Sequence, residues 1–491
     1  MKVSSVAGKL PEEQEKQDDI WQWIVVALVS MAVFLDALDV SIINVALPDL
    51  QRDLQLTTTD LQWVQGAYVL TNAGLQLLGG RTADLFGRRR IFLIGVTTFG
   101  LASLTCGLAH SGLLLILARG VQGIGAALMF PAAVSILTTT FAEGPLRSKA
   151  LGIFSATAGV GFSLGLVIGG LLTNFISWHW VFFINVPVVV LIVVLSCLVV
   201  PESRLALGKR SYDLAGGFTV TVGLLLLVYA ITQANESGAT PGKTAGLFLL
   251  ALILLAAFIL IERRSSAPLV PLHVFRSGTL RAANIAFLAL LGSFFGFLFI
   301  FTLYLQNVLH YSPLDASLAL LPGGVASILV ARYVAPWLVN RVGMNLSSGL
   351  GLLCLMAACL LFTQSALKTD YVWIILPSVL LAQSGMAIAH PSLSLAGVSG
   401  IEAAEQGLAA GLQGAVGAAG GGLGLAIVAA VVAAVTASAL GAPGTDSSVM
   451  AQLSGFHAGL LVIAAGAALG ALIAFMGIRR RSIRLSDTSI T

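Results

Sequence analysis

Four side chains stand where their types are expensive. Asp36 and Asp39 are the only acidic residues between Trp23 and Leu47, and they sit in Phe34–Pro48, FLDALDVSIINVALP, inside an apolar run of membrane-spanning length. Arg119 and Gln122 occupy a second such run, Leu115–Ala127. A charge at that depth in hydrocarbon is costly unless it faces a partner or a wet cavity, so the default reading is a functional site. Asp36 and Asp39 are three apart, as are Arg119 and Gln122, and each pair shares one face of its helix. A buried aspartate needs a cation or a proton, and a buried arginine needs acceptors. A pairing that exchanges with protonation would make a proton-coupled switch. The alternative is a permanent ion pair that fixes helix register. Asp36, nearer the midplane, is the candidate for meeting a cationic substrate directly, against the alternative of a protonated or hydrogen-bonded packing residue.

The elements that must position these groups follow from composition. The chain has 491 residues, 57% hydrophobic and 10% charged, with a mean hydropathy of +0.96. That balance excludes a soluble globular domain and predicts an all-α polytopic membrane protein. Apolar runs of about 20 residues number about fourteen, starting near Trp23, Asp60, Ile91, Gly112, Lys149, His179, Leu214, Thr244, Leu280, Asp315, Leu346, Tyr371, Glu405 and Phe456. Arg88, Arg89, Arg90, Arg147, Lys149, Arg204, Arg263, Arg264 and Arg479–Arg481 all follow even-numbered spans, so the positive-inside rule puts both termini in the cytoplasm. Span one then runs outward with Asp39 roughly 12 Å from its outer end, and span four runs inward with Arg119 roughly 10 Å from that side. The two charges are at matching depth.

The chain divides into a tail (1–22), a six-helix half (23–200), a cytoplasmic linker (201–213), two inserted helices (214–262), a second linker (263–279), a second six-helix half (280–477) and a cytoplasmic tail (478–491). The inserted pair has almost no polar residues and is expected to face lipid. Gly80-Arg-Thr-Ala-Asp84-Leu-Phe-Gly87-Arg88 after span two is echoed by Ala335–Gly343 after span ten, which suggests two homologous halves around a central cavity. Gly87 permits a tight turn, and Asp84 can meet a helix N-terminus or an arginine. Cys106, Cys197, Cys354 and Cys359 have neither metal-ligand nor disulfide-framework spacing. No nucleophile elbow or phosphate loop appears and the loops are too short for a catalytic domain, so an enzyme is disfavoured. Neither a cofactor, a metal nor a nucleic-acid partner is expected. His390, beside Pro391, reads as a hydrogen-bonded core histidine rather than a proton relay.

On these motifs the chain resembles the major facilitator superfamily, in its fourteen-span drug:proton antiporter branch. Gly80, Ala83, Asp84, Gly87, Arg88 and Arg89 match that family's loop two-three motif, and Arg119, Gln122, Gly123, Gly125, Ala126 and Ala127 its span-four motif. Gly161, Gly165, Gly169 and Gly170 match most of its antiporter motif, with Leu166 where proline is usual and Leu85 where a basic residue is common in the loop motif. Leu38-Asp39, Asn44–Pro48, Trp63, Tyr68 and Trp178–Pro187 resemble the fourteen-span branch in particular. The resemblance implies the major facilitator fold of two six-helix halves plus two inserted helices. It also implies an alternating-access exporter in the cell (inner) membrane, a monomer that exchanges an amphipathic substrate for protons and uses the proton gradient in place of a cofactor. Asp39 and Arg119, with Asp36, would form the coupling centre, and Gly80, Asp84, Gly87 and Arg88 the gate. By residue type rather than by resemblance, Asp36, Gln122 and Gln413 are the candidate polar contacts for substrate, and Trp63, Tyr68 and Phe130 could stack on a planar or cationic ligand, against the alternative of helix packing or lipid contact. Lipophilic cationic drugs are the expected cargo. The alternative is a dedicated exporter of an endogenous metabolite or antibiotic.

Overall fold

The computed structural model describes residues 11–141, 145–203, 214–233, 241–265, 277–399, 406–440 and 448–478. They form fourteen membrane-length helical segments: α1 (Pro11–Asp53), α2 (Thr58–Phe86), α3 (Arg88–Gly107), α4 (Gly112–Thr140), α5 (Pro145–Phe175), α6 (Trp180–Val199) and α7 (Leu214–Gln233). The others are α8 (Pro241–Arg264), α9 (Gly278–Val308), α10 (Pro313–Val342), α11 (Met344–Phe362), α12 (Tyr371–Val398), α13 (Gln406–Leu440) and α14 (Ser448–Gly477). Helices prevail because hydrocarbon leaves each backbone N–H and C=O no partner but its own segment. Eleven of them are long and apolar enough to cross a membrane on hydropathy alone. α2 falls short because Gln62, Gln65, Asn72 and Gln76 interrupt it, which already sets it apart from a lipid-facing helix.

Chain ends are set by ordinary local chemistry. Thr57 and Asp60 make a reciprocal capping box at the start of α2, and Ser111, Ser277 and Ser312 cap α4, α9 and α10. α1 does not stop at Pro48 but carries it inside the helix to Asp53, so Asp39 is followed by a longer helix than the sequence motif implies. The echo between the halves is structural. Gly87 (φ 113°) joins α2 to α3 and Gly343 (φ 89°) joins α10 to α11, both in backbone that only glycine adopts freely.

The first half packs α1 on α5 and α4 on α2 and α3, while the second packs α9 on α13 and α14 and α11 on α12 and α14. Between the halves, α1 meets α9, α5 meets α10 and α2 meets α13. On the side of the molecule where α1 ends, called the far side, this seam is latched. Gln306 Nε2 of α9 donates to Val45 O of α1 at 2.9 Å, and the Gly170 backbone of α5 lies against the Ser317 side chain of α10.

The inserted pair corrects one expectation. α8 has only 6% of its apolar window buried, its residues otherwise exposed or half-buried, in keeping with a lipid-facing helix. α7 instead packs on both α2 and α13 and so covers a seam between the halves. Thr221 sits against Gly74, and Val228 joins Leu70 and Ala426 in a buried cluster. Composition did not reveal this because a surface facing lipid and one facing another helix are equally apolar.

Candidate functional site

Asp39 is the hub of the first half, fully buried beside Arg119, which is 1% exposed. Arg119 Nη1 donates to Asp39 Oδ2 at 2.5 Å and to Gln122 Oε1 at 2.8 Å, and Arg119 Nε donates to Val64 O at 3.0 Å. The second carboxylate oxygen of Asp39 accepts from Gln122 Nε2 at 2.8 Å and from Asn185 Nδ2 at 3.0 Å. Asn185 also donates to Ser103 Oγ, which donates to the carbonyl of Phe182. One carboxylate thus ties α1 to α4 and α6, and through Asn185 to α3.

Neighbouring glycines make this geometry possible. Gly161, Gly165 and Gly169 lie against the backbone at Phe34, Leu38 and Ile42, where a Cβ would come within 2.6–3.0 Å of a carbonyl oxygen. They seat α5 directly on α1 and leave Asp39 facing α4 and α6. Gly170, on another face, turns to α10. Leu166 is buried and α5 is one helix from Pro145 to Phe175. Gly123 plays the same part for α4 against α2, its Cβ position lying 2.4 Å from Tyr68 O. That close approach brings Val64 O to Arg119 and lays the guanidinium 4.4 Å from the centre of the Tyr68 ring.

Asp36 is half-buried and accepts a hydrogen bond from the Tyr68 hydroxyl. Tyr68 therefore connects the two aspartates, touching Asp36 with its hydroxyl and the partner of Asp39 with its ring. A small cavity of about 10 Å³ adjoins this group, lined by Gln65, Tyr68 and Arg119 from the first half and by Phe295, Gly421 and Leu425 from the second.

The remaining expected substrate contacts are not gathered here. Trp63 stacks obliquely on Tyr229 of α7, 6.4 Å between ring centres, on another face of α2. Phe130 pairs with Phe154 of α5 at 5.7 Å. Gln413 Nε2 donates to Leu393 O of α12 at 2.8 Å, within the second half. His390 is exposed, with its ring 5.0 Å from that of Phe287, so it is not a core histidine.

Near the end of α2, Gly80 packs on Pro131 of α4, and Gly87 in the turn that follows supplies the positive φ. Asp84 lies in the last turn of α2, and its side chain is outside the described residues. The acid seen at the N-terminus of α3 is Glu202, which accepts from Arg90 N at 3.2 Å and Ser203 N at 3.1 Å, while Arg88 N donates to Ser203 O at 3.0 Å. The sequence reading missed both Glu202 and Asn185. Glu202 sits among linker-like polar residues, and Asn185, though within a matched run, carries no charge to flag it.

The family model for the Major Facilitator Superfamily matches residues 29–425. Puromycin resistance protein pur8 of Streptomyces alboniger is 40% identical over 69% of this chain and 66% of its own length. Cephamycin export protein CmcT of Amycolatopsis lactamdurans is 38% identical over 78% of this chain and 80% of its own. Among solved structures, an inward-facing, unoccupied bacterial homologue of the human lysosomal transporter Spinster superposes with a TM-score of 0.62 at 18% identity, covering 96% of this chain and 98% of that one.

Proposed function

We propose, from the premise that this chain belongs to the Major Facilitator Superfamily, that it is a secondary exporter of amphipathic drugs or antibiotics, exchanging cargo for protons by alternating access. Relatives named for puromycin resistance and cephamycin export support the cargo class. The single observation that carries the coupling is the buried Asp39–Arg119 pair at 2.5 Å, deep in a chain that crosses the membrane many times.

The mechanism follows from what such a pair costs. Two charges withdrawn from water are held only while each satisfies the other, and removing one partner costs about 3–5 kcal/mol. A proton on Asp39 cancels the attraction and weakens the bonds from Gln122 and Asn185, so α1, α4 and α6 lose their common tie. Protonation and helix arrangement are thereby linked, and a proton arriving from one side biases the two-state equilibrium. Asp36, bonded to Tyr68 and partly accessible, is the group positioned to meet a cationic part of the cargo, and displacing the Tyr68 hydroxyl would transmit cargo binding to the ring beneath Arg119. With both termini in the cytoplasm, the latched far side is extracellular, which corresponds to the state that loads cargo from within. The turn at Gly87, Arg88 and Glu202, with Gly80 and Asp84, forms the cytoplasmic gate region.

Inverted membrane vesicles test this reading. Wild type is expected to accumulate a fluorescent lipophilic cation when a proton gradient is imposed and to lose that uptake when the gradient is collapsed. Uptake that persists without the gradient would overturn proton coupling. A dedicated metabolite exporter is the outcome if no drug-like amphipath is carried.

A further inference from the structure

One face of α2 carries a row of carboxamides. Gln62, Gln65, Asn72 and Gln76 fall within a helical arc of about 80° at 100° per residue, and their oxygens Gln62 Oε1, Gln65 Oε1, Asn72 Oδ1 and Gln76 Oε1 are buried without a hydrogen-bond partner among the described residues. Gln62 Nε2 is equally unpartnered. Gln62 is 1% and Gln65 5% exposed. Buried carboxamides normally have partners, and this many orphan acceptors on one stripe is not ordinary packing.

The stripe borders the second half, with Gln65 also donating through Nε2 to Asn44 Oδ1 of α1 at 2.6 Å. Val69, between Gln65 and Asn72, lines the seam cavity with Gln65, and Gly414 of α13 lies against Gln76. The opposing wall offers Phe295, Gly414, Gly421 and Leu425, with no side-chain donor among them. The present cavity, about 10 Å³, has room for roughly one water. A cargo enters only when the halves separate, and separation along this seam uncovers the stripe.

We infer that the carboxamide stripe of α2 is the polar wall of the cargo slot and selects amphipaths bearing several hydrogen-bond donors, such as hydroxyl, amide or amine groups, laid against an apolar opposite wall. The inference rests on the exporter reading and refines its cargo class. A slot with unmet acceptors discriminates strongly, because a cargo lacking donors leaves them unpaired. A bare lipophilic cation would satisfy Asp36 and leave the stripe unmet.

Binding to the purified full-length protein tests this without requiring transport. Rhodamine 123 and tetramethylrhodamine methyl ester share one cationic core, but the first carries N–H donors that methylation removes from the second. The wild type is expected to bind rhodamine 123 at least tenfold more tightly, and Gln62→Met and Gln76→Met each to reduce that preference severalfold. Gln62→Met breaks no hydrogen bond among the described residues, so loss of folding is not its expected effect, and the melting temperature of each variant is read alongside. A wild-type preference near one, a preference unchanged in both variants, or a higher melting temperature with unaltered preference would overturn the inference and make the stripe a packing or hydration feature. The vesicle experiment is read separately. Uptake that ignores the proton gradient defeats the exporter's coupling, and selective binding lost in the variants still supports the slot.

Discussion

The two halves share a helical plan and a glycine turn but differ in where buried charge lies, the Asp39–Arg119 pair belonging to the first half. Around Asp39 the first half gathers Arg119, Gln122, Asn185 and Ser103 into one buried hydrogen-bonded network. The second half gathers Phe297, Phe301, Phe362 and Tyr304 into a buried cluster toward its far-side end, with ring centres 5.1–5.9 Å apart. Aromatic packing supplies stability at no electrostatic cost, whereas a buried charge network holds only while every member is satisfied. The contrast teaches that repetition of a fold does not repeat its chemistry: one half is tied by a buried charge network and the other carries a buried aromatic cluster, and the proposed coupling assigns the proton to the first.

Substitutions should separate these roles. The largest effect is expected from Asp39→Asn, which should lower gradient-driven uptake by about a hundredfold or more, while Phe362→Ala should leave the proton dependence of transport unaltered. Phe362→Ala should instead cost stability, about 3–5 kcal/mol for a fully buried ring, read as a lower thermal midpoint in detergent. If Phe362→Ala changed coupling and Asp39→Asn did not, the contrast between the halves would be broken. Next in size, Gly165→Ala should push α5 off α1, because the added Cβ meets Leu38 O at 2.7 Å; a tenfold or larger loss of transport with retained expression is expected. Gln122→Ala leaves Asp39 Oδ1 with Asn185 alone and should cost about 1–3 kcal/mol, seen as a smaller fall in midpoint with weakened coupling. The mildest is Gln306→Leu, which removes the far-side bond to Val45 O. A net loss near 1 kcal/mol should raise the far-side-open population about fivefold, measurable as increased labelling of a cysteine placed at the far end of α1.

Charge made the first half legible. Ionised residues are rare in such spans, so Asp39 and Arg119 stand out at matching depth, and the structure puts them in contact. The glycines at 161, 165 and 169 stand four apart, a spacing that lines one helix face, and α1 is what they touch. Uncharged groups gave weaker signals. Asn185 and the α2 carboxamides hide among apolar neighbours, since a single amide disturbs hydropathy little. The placement of α7 was illegible because lipid and protein neighbours select the same side chains. Trp63, Phe130 and Gln413 were grouped by residue type, and the helix faces they occupy carry them to separate neighbours.

The most direct test of the central claim uses proteoliposomes loaded with cargo and a trapped pH dye. In wild type, cargo efflux should drive proton movement the other way, while Asp39→Asn should still exchange labelled for unlabelled cargo and move no protons. Proton movement at the wild-type ratio in Asp39→Asn would contradict the account and return the Asp39–Arg119 pair to a purely structural role.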